Sequence, residues 1–179
     1  EIQKNDRERL SSICMDIIVR ENIGHDFGSW SDGLQRYRDR IEGRLLLAND
    51  SVYGPIGSLQ SGLDRLLSKP ADFYGMVESL EHEPHLQSWF LLFEPHVVRS
   101  KAFADVFCRL PENRTKEDII CIFELGATAA LKAAGYSYNA LHMQGIRQIK
   151  CNPTAYLWRE LIEQDHVPFL KVAIVRVDR

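Results

Sequence analysis

The sequence predicts an α/β fold: a mostly parallel central sheet flanked by helices. Three observations point there. Short apolar runs bounded by turn residues recur at Ile17-Ile18-Val19, Leu45-Leu46-Leu47-Ala48 and Trp89 to Phe93, the pattern of buried strands. Stretches with helical spacing separate them, as at Leu59, Leu63, Leu66 and Leu67. Strand, helix and strand in succession argue for parallel βαβ units. A chain of 179 residues, 45% hydrophobic and 26% charged, is enough for a single domain over residues 1–179 with its own core.

Taken in order, Asn5 to Cys14 reads as a helix, capped by Asn5 or Asp6, with Leu10, Ile13 and Cys14 as its apolar stripe. Asp16 to Arg20 reads as a strand. The loop Glu21 to Gly28 holds two glycines, which would let a ligand approach the backbone. Ser29 or Ser31 can cap the next helix, running to about Ile41, and the strand Arg44–Ala48 comes after it. Ser58 caps a helix through Leu67, and Lys69-Pro70 ends it. Ala71 to Val77 is the next strand, Glu78 to Pro84 a polar loop, and Trp89 to Phe93 the most hydrophobic strand.

Val97 to Leu110 is helical in two pieces. Thr115 and Asp118 are a capping pair for a long helix that reaches Ala134 and stops at Gly135. Tyr136 to Leu141 reads as a strand. Pro153 suits the first turn of a helix through Ile162, and Val172 to Val177 fits a strand or a last short helix.

The net charge of -3 lacks the basic footprint of a nucleic-acid partner. Cys14, Cys108, Cys121 and Cys151 form no CxxC pair and no zinc-ligand spacing, so a reducing, cytoplasmic setting is expected. The sequence shows no signal peptide and no apolar run of bilayer length. It begins at Glu1, not Met, which suggests a segment of a larger chain.

Asn49-Asp50-Ser51 ends the strand Arg44–Ala48 abruptly, and open α/β sheets hold their ligands beyond the carboxyl ends of their strands. Asp50 is the first candidate for chemistry on that ground. The competing reading is that these three residues only cap the next helix.

The stretches ENIGHDFGSWSDGL, RLLLANDSVYGPIGSL, ADFYGMVES, HLQSWFLLF, NPTAYLWRELI and PFLK occur in this order over nearly the whole chain. Together they resemble the rhamnan synthesis protein F family of bacterial glycosyltransferases. The resemblance implies a GT-A-like domain that lacks its first βαβ unit. It implies transfer of rhamnose, from dTDP-rhamnose, onto a growing cell-surface polysaccharide. The partners it implies are a nucleotide-sugar donor and a glycan or lipid-linked glycan acceptor, with peripheral association at the inner face of the membrane through an assembly complex.

In inverting GT-A enzymes a strand leads to an N-x-G loop, a helix, and a strand ending in a DXD-type motif. Asn22-Ile23-Gly24 and Asn49-Asp50-Ser51 are similar to those two places, with one carboxylate where DXD has two. Asp50 would then hold Mg²⁺ or Mn²⁺, or orient the donor without metal. Glu124 resembles the acidic residue ahead of a helix that ends in a Gly-aromatic pair, here Gly135-Tyr136, which makes it the general-base candidate. An ordinary helix glutamate paired with Lys132 is the plainer alternative.

Asp26, in a loop that should face the same crevice as Asp50, could bond the donor base or ribose or only fix its loop as an Asx turn. His85 could contact a donor phosphate or an acceptor hydroxyl, or be structural, and Gln87 a sugar hydroxyl. Tyr53, Trp30 and Trp89 could stack on sugar faces, of which Trp89 reads better as core. Lys171, in PFLK, could reach a diphosphate as a point charge, but it reads better as a surface lysine. Two other classes compete: a non-catalytic carbohydrate- or nucleotide-sugar-binding module, and, less well supported, a metal hydrolase using Asp26 and Asp50.

Overall fold

A computed structural model describes residues 4–109, 118, 120–144 and 150–176. The chain is α/β, built on a mixed sheet. Its strands are β1 (Leu45–Ala48), β3 (Phe73–Ser79), β4 (His85–Leu86), β5 (Phe90–Phe93) and β6 (Tyr138–His142), while β2 (Val52–Tyr53) and β7 (Leu170–Lys171) form a separate two-stranded ladder. β3 is central. β5 and β4 run antiparallel to its two ends, and β6 runs parallel to it from Phe73↔Tyr138 to Val77↔His142. β1 pairs antiparallel with β5, from Leu45↔Phe93 to Ala48↔Phe90.

The expected mostly parallel sheet is therefore not what forms: among the described residues β3 and β6 are the one parallel pair. The error lies in reading burial as parallel pairing. β5 is apolar at every position because both its faces are covered, and an antiparallel strand in that place needs the same residues. Leu91 and Phe93 point into one core with Phe73, while Phe90 and Leu92 point into the other with Tyr74.

The predicted strand Asp16–Arg20 joins no ladder, so it is not a parallel neighbour of β1. Its charged ends hold it elsewhere. Arg20 Nε meets Asp32 Oδ2 at 2.5 Å, its NH2 group donates to Ile23 O at 2.7 Å, and Asp16 accepts from Tyr37 and meets Arg36 at 3.2 Å. All these partners but Ile23 lie on α2 (His25–Tyr37). The segment is thus an extended strap along that helix.

α2 begins earlier than Ser29, because Gly24 at φ 78° makes the cap and only glycine enters that left-handed region freely. Gly28 has a packing reason: a Cβ there would stand 2.0 Å from Ile23 O. The glycines admit the chain's own backbone at this loop.

Phe27 and Leu34 of α2 pack with Phe103 and Phe107 of α5 (Lys101–Phe107), with Phe123, and with Leu131 of α6 (Gly126–Ala133) on one face of the sheet. On the other, Leu66 of α3 (Leu59–Leu67) meets Met76, Trp89, Leu161 and Val167. Ser58 caps α3 as expected, its side chain accepting from Ser61 N. The short α4 (Pro95–Val98) precedes α5, the two-piece pattern expected there.

Three elements differ in extent. α1 covers Lys4–Ser11 and lies exposed. The long helix expected from Thr115 is a π-helical turn over Ile120–Leu125 leading into α6, with Thr115 itself outside the described residues. The helix expected from Pro153 to Ile162 is two, α7 (Pro153–Tyr156) and α8 (Trp158–Glu163), broken where Leu157 leaves helical geometry at φ -111°, ψ 17°. The end of the described chain is α9 (Val172–Val175), the short-helix alternative.

Candidate functional site

The loop after β1 is built from side chains bonded to one another. Asn49 Nδ2 donates to Asp26 Oδ2 at 2.8 Å, tying the loop to the first turn of α2. Asn49 Oδ1 accepts twice, from Ser51 N at 3.0 Å and Ser51 Oγ at 2.6 Å. Trp30 Nε1 donates to Ala48 O at 3.2 Å and pins the last residue of the strand. An amide with both ends bonded has one orientation, so Asn49 fixes the loop.

β7 completes the arrangement. Val52 lies opposite Lys171, and Val172 N donates to Ser51 O at 3.0 Å. That register carries Lys171 Nζ to 3.0 Å from Ser51 Oγ. Lys171 is half-buried, not a surface lysine, and burial lowers its pKa while Glu124 and Asp26 pull it back up. Both carboxylates therefore act on the same ammonium group.

Beside this loop opens a cleft of about 690 Å³, lined by Asp50, Ser51, Asn152, Thr154, Lys171 and Arg176 among others. Its size is within the range of small-molecule sites. Asp50 is exposed at its edge. Asn152 Oδ1 accepts from Gln87 Nε2 and from Thr154 Oγ1, both at 2.8 Å. With its carbonyl so held, the Asn152 amide can offer its NH2 group to a ligand.

The structure thus brings Asp26, Asn49, Asp50 and Ser51 together at one strand end, with Gln87 one hydrogen bond behind the cleft wall. Glu124 stands in the π-helical turn, half-buried, where its Oε1 accepts from Ser88 N at 3.4 Å. Single π-turns recur at functional positions because the extra residue re-aims a side chain.

His85 is not among the cleft's lining residues. It is 4% exposed, and its Nδ1 donates to Glu83 O at 2.7 Å. Asn22 is exposed in the strap ahead of Gly24, whose backbone caps α2. Tyr53 is 51% exposed on β2. Trp89 is core, 2% exposed, with Nε1 donating to Gln87 Oε1 at 3.1 Å.

Sequence reasoning missed Asn152 and Thr154 as site residues, and it weighed Lys171 as a diphosphate contact but preferred a surface role for it. The signal for them lay in NPTAYLWRELI and PFLK. Nothing in spacing foretells that β7 pairs with β2, more than a hundred residues earlier. Among the described residues no group of three or more His, Cys, Asp and Glu side chains is gathered as a metal-binding set. No described helix is long and apolar enough to cross a membrane.

Comparison with known proteins sets this geometry in context. No solved structure matches the chain. It is 31% identical over 147 residues to an uncharacterized protein, y4gN, of Sinorhizobium fredii, a match covering 79% of this chain and 38% of the relative. It is 28% identical over 202 residues to the virulence protein VirA of Vibrio anguillarum, covering 93% of this chain and 64% of the relative. The chain therefore spans less than two thirds of either relative's length. The model of one family, described as rhamnan synthesis protein F, matches residues 1–179, and the chain belongs to that family.

Proposed function

We propose that this chain carries the transfer site of a glycosyltransferase of bacterial polysaccharide synthesis, taking rhamnose from dTDP-rhamnose to a glycan hydroxyl. The observation that carries the reading is the meeting of Asp26, Asn49, Ser51 and Lys171 at the carboxyl end of β1, with Glu124 acting on the same ammonium, beside an open cleft of about 690 Å³. The membership in a rhamnan synthesis family supports the substrate class.

In this reading the donor lies in the cleft against Lys171, the ammonium on which Glu124 acts from outside the cleft's lining. Asp50 accepts a hydroxyl of the donor from the cleft's edge, and the Asn152 amide donates to another polar group. The Glu124 carboxylate takes the proton of the acceptor hydroxyl as its oxygen forms a bond to the anomeric carbon. The bond from that carbon to the diphosphate oxygen breaks, and the electron pair leaves with the diphosphate. A base that acts in the transition state and the removal of charge from the leaving group are the two demands of such a displacement.

The second reading is a nucleotide-sugar-binding module without turnover. It is favoured by the absence of the base candidate, Glu124, from the residues that line the cleft. One experiment separates the two: titration of dTDP-rhamnose by calorimetry beside a transfer assay on the full-length protein, with wild type and Glu124→Gln. Transfer by wild type, lost with donor affinity retained in the variant, supports the enzyme. Donor binding without transfer to any acceptor overturns it in favour of the module.

A further inference from the structure

The loop Asn49-Asp50-Ser51 carries one carboxylate, and the oxygens that flank it are already in use. Asn49 Oδ1 accepts from both the backbone and the hydroxyl of Ser51, and the Asn49 amide donates to Asp26. Ser51 Oγ gives its proton to Asn49 and accepts from Lys171 Nζ at 3.0 Å. A Mg²⁺ ion on that hydroxyl, at about 2.1 Å, would stand no more than about 5 Å from the ammonium nitrogen. A divalent cation so close to a fixed positive charge is repelled by it. Asp50 remains as a single exposed ligand, and an octahedral ion needs more than one protein anchor or a donor that supplies the rest. The donor set of this loop does not fit a cation cage.

The same residues fit a different group. Lys171 is held by backbone on both sides: it pairs with Val52 in the β2–β7 ladder, and the next residue's N–H bonds Ser51 O. Its ammonium stands at the cleft wall with Arg176 also on the lining. Burial lowers its pKa, and Glu124 and then Asp26 act against that by favouring the charged form. With one N–H given to Ser51 Oγ, the preorganised ammonium has two more donors for phosphate oxygens.

We propose that Lys171, not a divalent metal ion, neutralises the diphosphate of the bound nucleotide, so that this site binds its nucleoside diphosphate and releases it as leaving group without Mg²⁺ or Mn²⁺. This rests on the reading of the cleft as a nucleotide-sugar site. It assigns the charge-compensating role to a residue on the last strand of the described chain, where the loop after β1 would otherwise be expected to supply it through an ion. In the transition state the bond from the anomeric carbon to the diphosphate breaks, and the negative charge that collects on the departing oxygen meets the ammonium. No proton need move from Lys171 for this to occur.

The test uses thymidine diphosphate as the probe and the full-length protein. Calorimetric titration is run in EDTA and again in excess Mg²⁺ or Mn²⁺, with thymidine monophosphate as the comparison ligand. The expected result is the same affinity for the diphosphate with and without metal, and weaker binding of the monophosphate in EDTA. Lys171→Met should weaken diphosphate binding by about ten- to a hundredfold in both conditions, and Lys171→Arg should restore part of it. If Lys171→Met does not fold, the diphosphate-over-monophosphate preference of wild type in EDTA, and its decline with added salt, still decide. Diphosphate binding that appears only with Mg²⁺ or Mn²⁺ overturns the role of Lys171 and leaves the glycosyl-transfer reading standing. Unchanged affinity in a folded Lys171→Met protein does the same. Absence of binding by any nucleoside diphosphate, with metal and without, overturns both.

Discussion

Two polar clusters in this molecule are assembled from similar parts. At the end of β1, Asn49, Ser51, Asp26 and Lys171 bond in a chain beside an open cleft. Across the sheet, between β3 and β6, Glu78 Oε1 accepts from Tyr138 OH at 2.5 Å and its Oε2 from Gln144 N at 3.1 Å, with Glu78 only 6% exposed. Nearby, His142 Nδ1 meets Asp165 Oδ2 at 2.7 Å. The second cluster holds a buried glutamate, a tyrosine and a histidine–aspartate pair, which by residue type alone looks more catalytic than the first. What separates them is access. Glu78 is itself buried and has both oxygens filled, by the Tyr138 hydroxyl and the buried Gln144 N–H, so it ties the parallel strands β3 and β6 together. The cluster at β1 presents Asp50 and the Lys171 ammonium to a space large enough for a ligand. Hydrogen-bonded polar groups mark a site only where some of their capacity faces outward.

The strongest test of this contrast is Glu124→Gln, expected to lose about 10²–10⁴-fold in transfer rate while donor affinity stays, the pattern of a base that acts only in the transition state. Single-turnover assays beside donor titration would read it.

Next in size, Glu78→Ala leaves a half-buried phenol and a buried backbone N–H without acceptors, for a loss of about 2–4 kcal/mol in stability. Urea denaturation would measure it, and the folded fraction should bind thymidine diphosphate as wild type does. If Glu78→Ala instead stays stable and loses transfer, the contrast between a sealed tie and an open site breaks.

Asp50→Asn should do the opposite, weakening donor binding about tenfold, one lost hydrogen bond to a charged group. It should move the urea midpoint little, because Asp50 is exposed.

A smaller effect comes from pH. Burial first, then the hydrogen bond to Glu78, hold the Tyr138 phenol well above its ordinary range. A folded pKa above the unfolded one means the contribution is complete below about pH 10 and is lost as pH rises beyond it. Stability should therefore fall in alkali, and Tyr138→Phe should flatten that fall while leaving nucleotide binding alone.

The least effect is expected at the acid end. The backbone N–H and then the hydroxyl of Ser137 hold Asp72 below the usual carboxylate range. Its contribution is present above about pH 4 and fades as pH drops through the folded value. Asp72→Asn should reduce the acid dependence of the urea midpoint.

Much of the secondary structure was legible because it rests on local signals. The cap at Ser58, the stop at Gly135 and the apolar run of β5 each depend on a few neighbouring residues. Strand direction was not legible, since β1 and β5 look the same in either orientation when both faces of β5 are covered. The strap Asp16–Arg20 has the composition of a strand, and only its partners on α2, twelve to twenty-one residues away, decide otherwise. The site divides the same way. Asp26, Asn49 and Asp50 stand out as polar residues at element ends. Lys171 acquires meaning only from a ladder register that joins two ends of the chain, and His85 lost its expected place because a carbonyl two residues away satisfies it.

The bond between Asn49 and Asp26 also constrains how this loop can change by mutation. A single Asn49→Asp substitution would give the loop a second carboxylate, but it would face the Asp26 oxygen now bonded at 2.8 Å. Two carboxylates at that distance do not both stay ionised, so the variant would retain a proton or push the loop from α2. Exchanging the pair, Asp26→Asn with Asn49→Asp, restores one donor and one acceptor. The two positions should therefore be non-additive: Asn49→Asp is harmful alone, Asp26→Asn alone keeps an amide oxygen to accept from Asn49 and is tolerated, and adding it rescues Asn49→Asp. A loop with two carboxylates is one substitution away in sequence, yet two coordinated substitutions away in a folded, working protein.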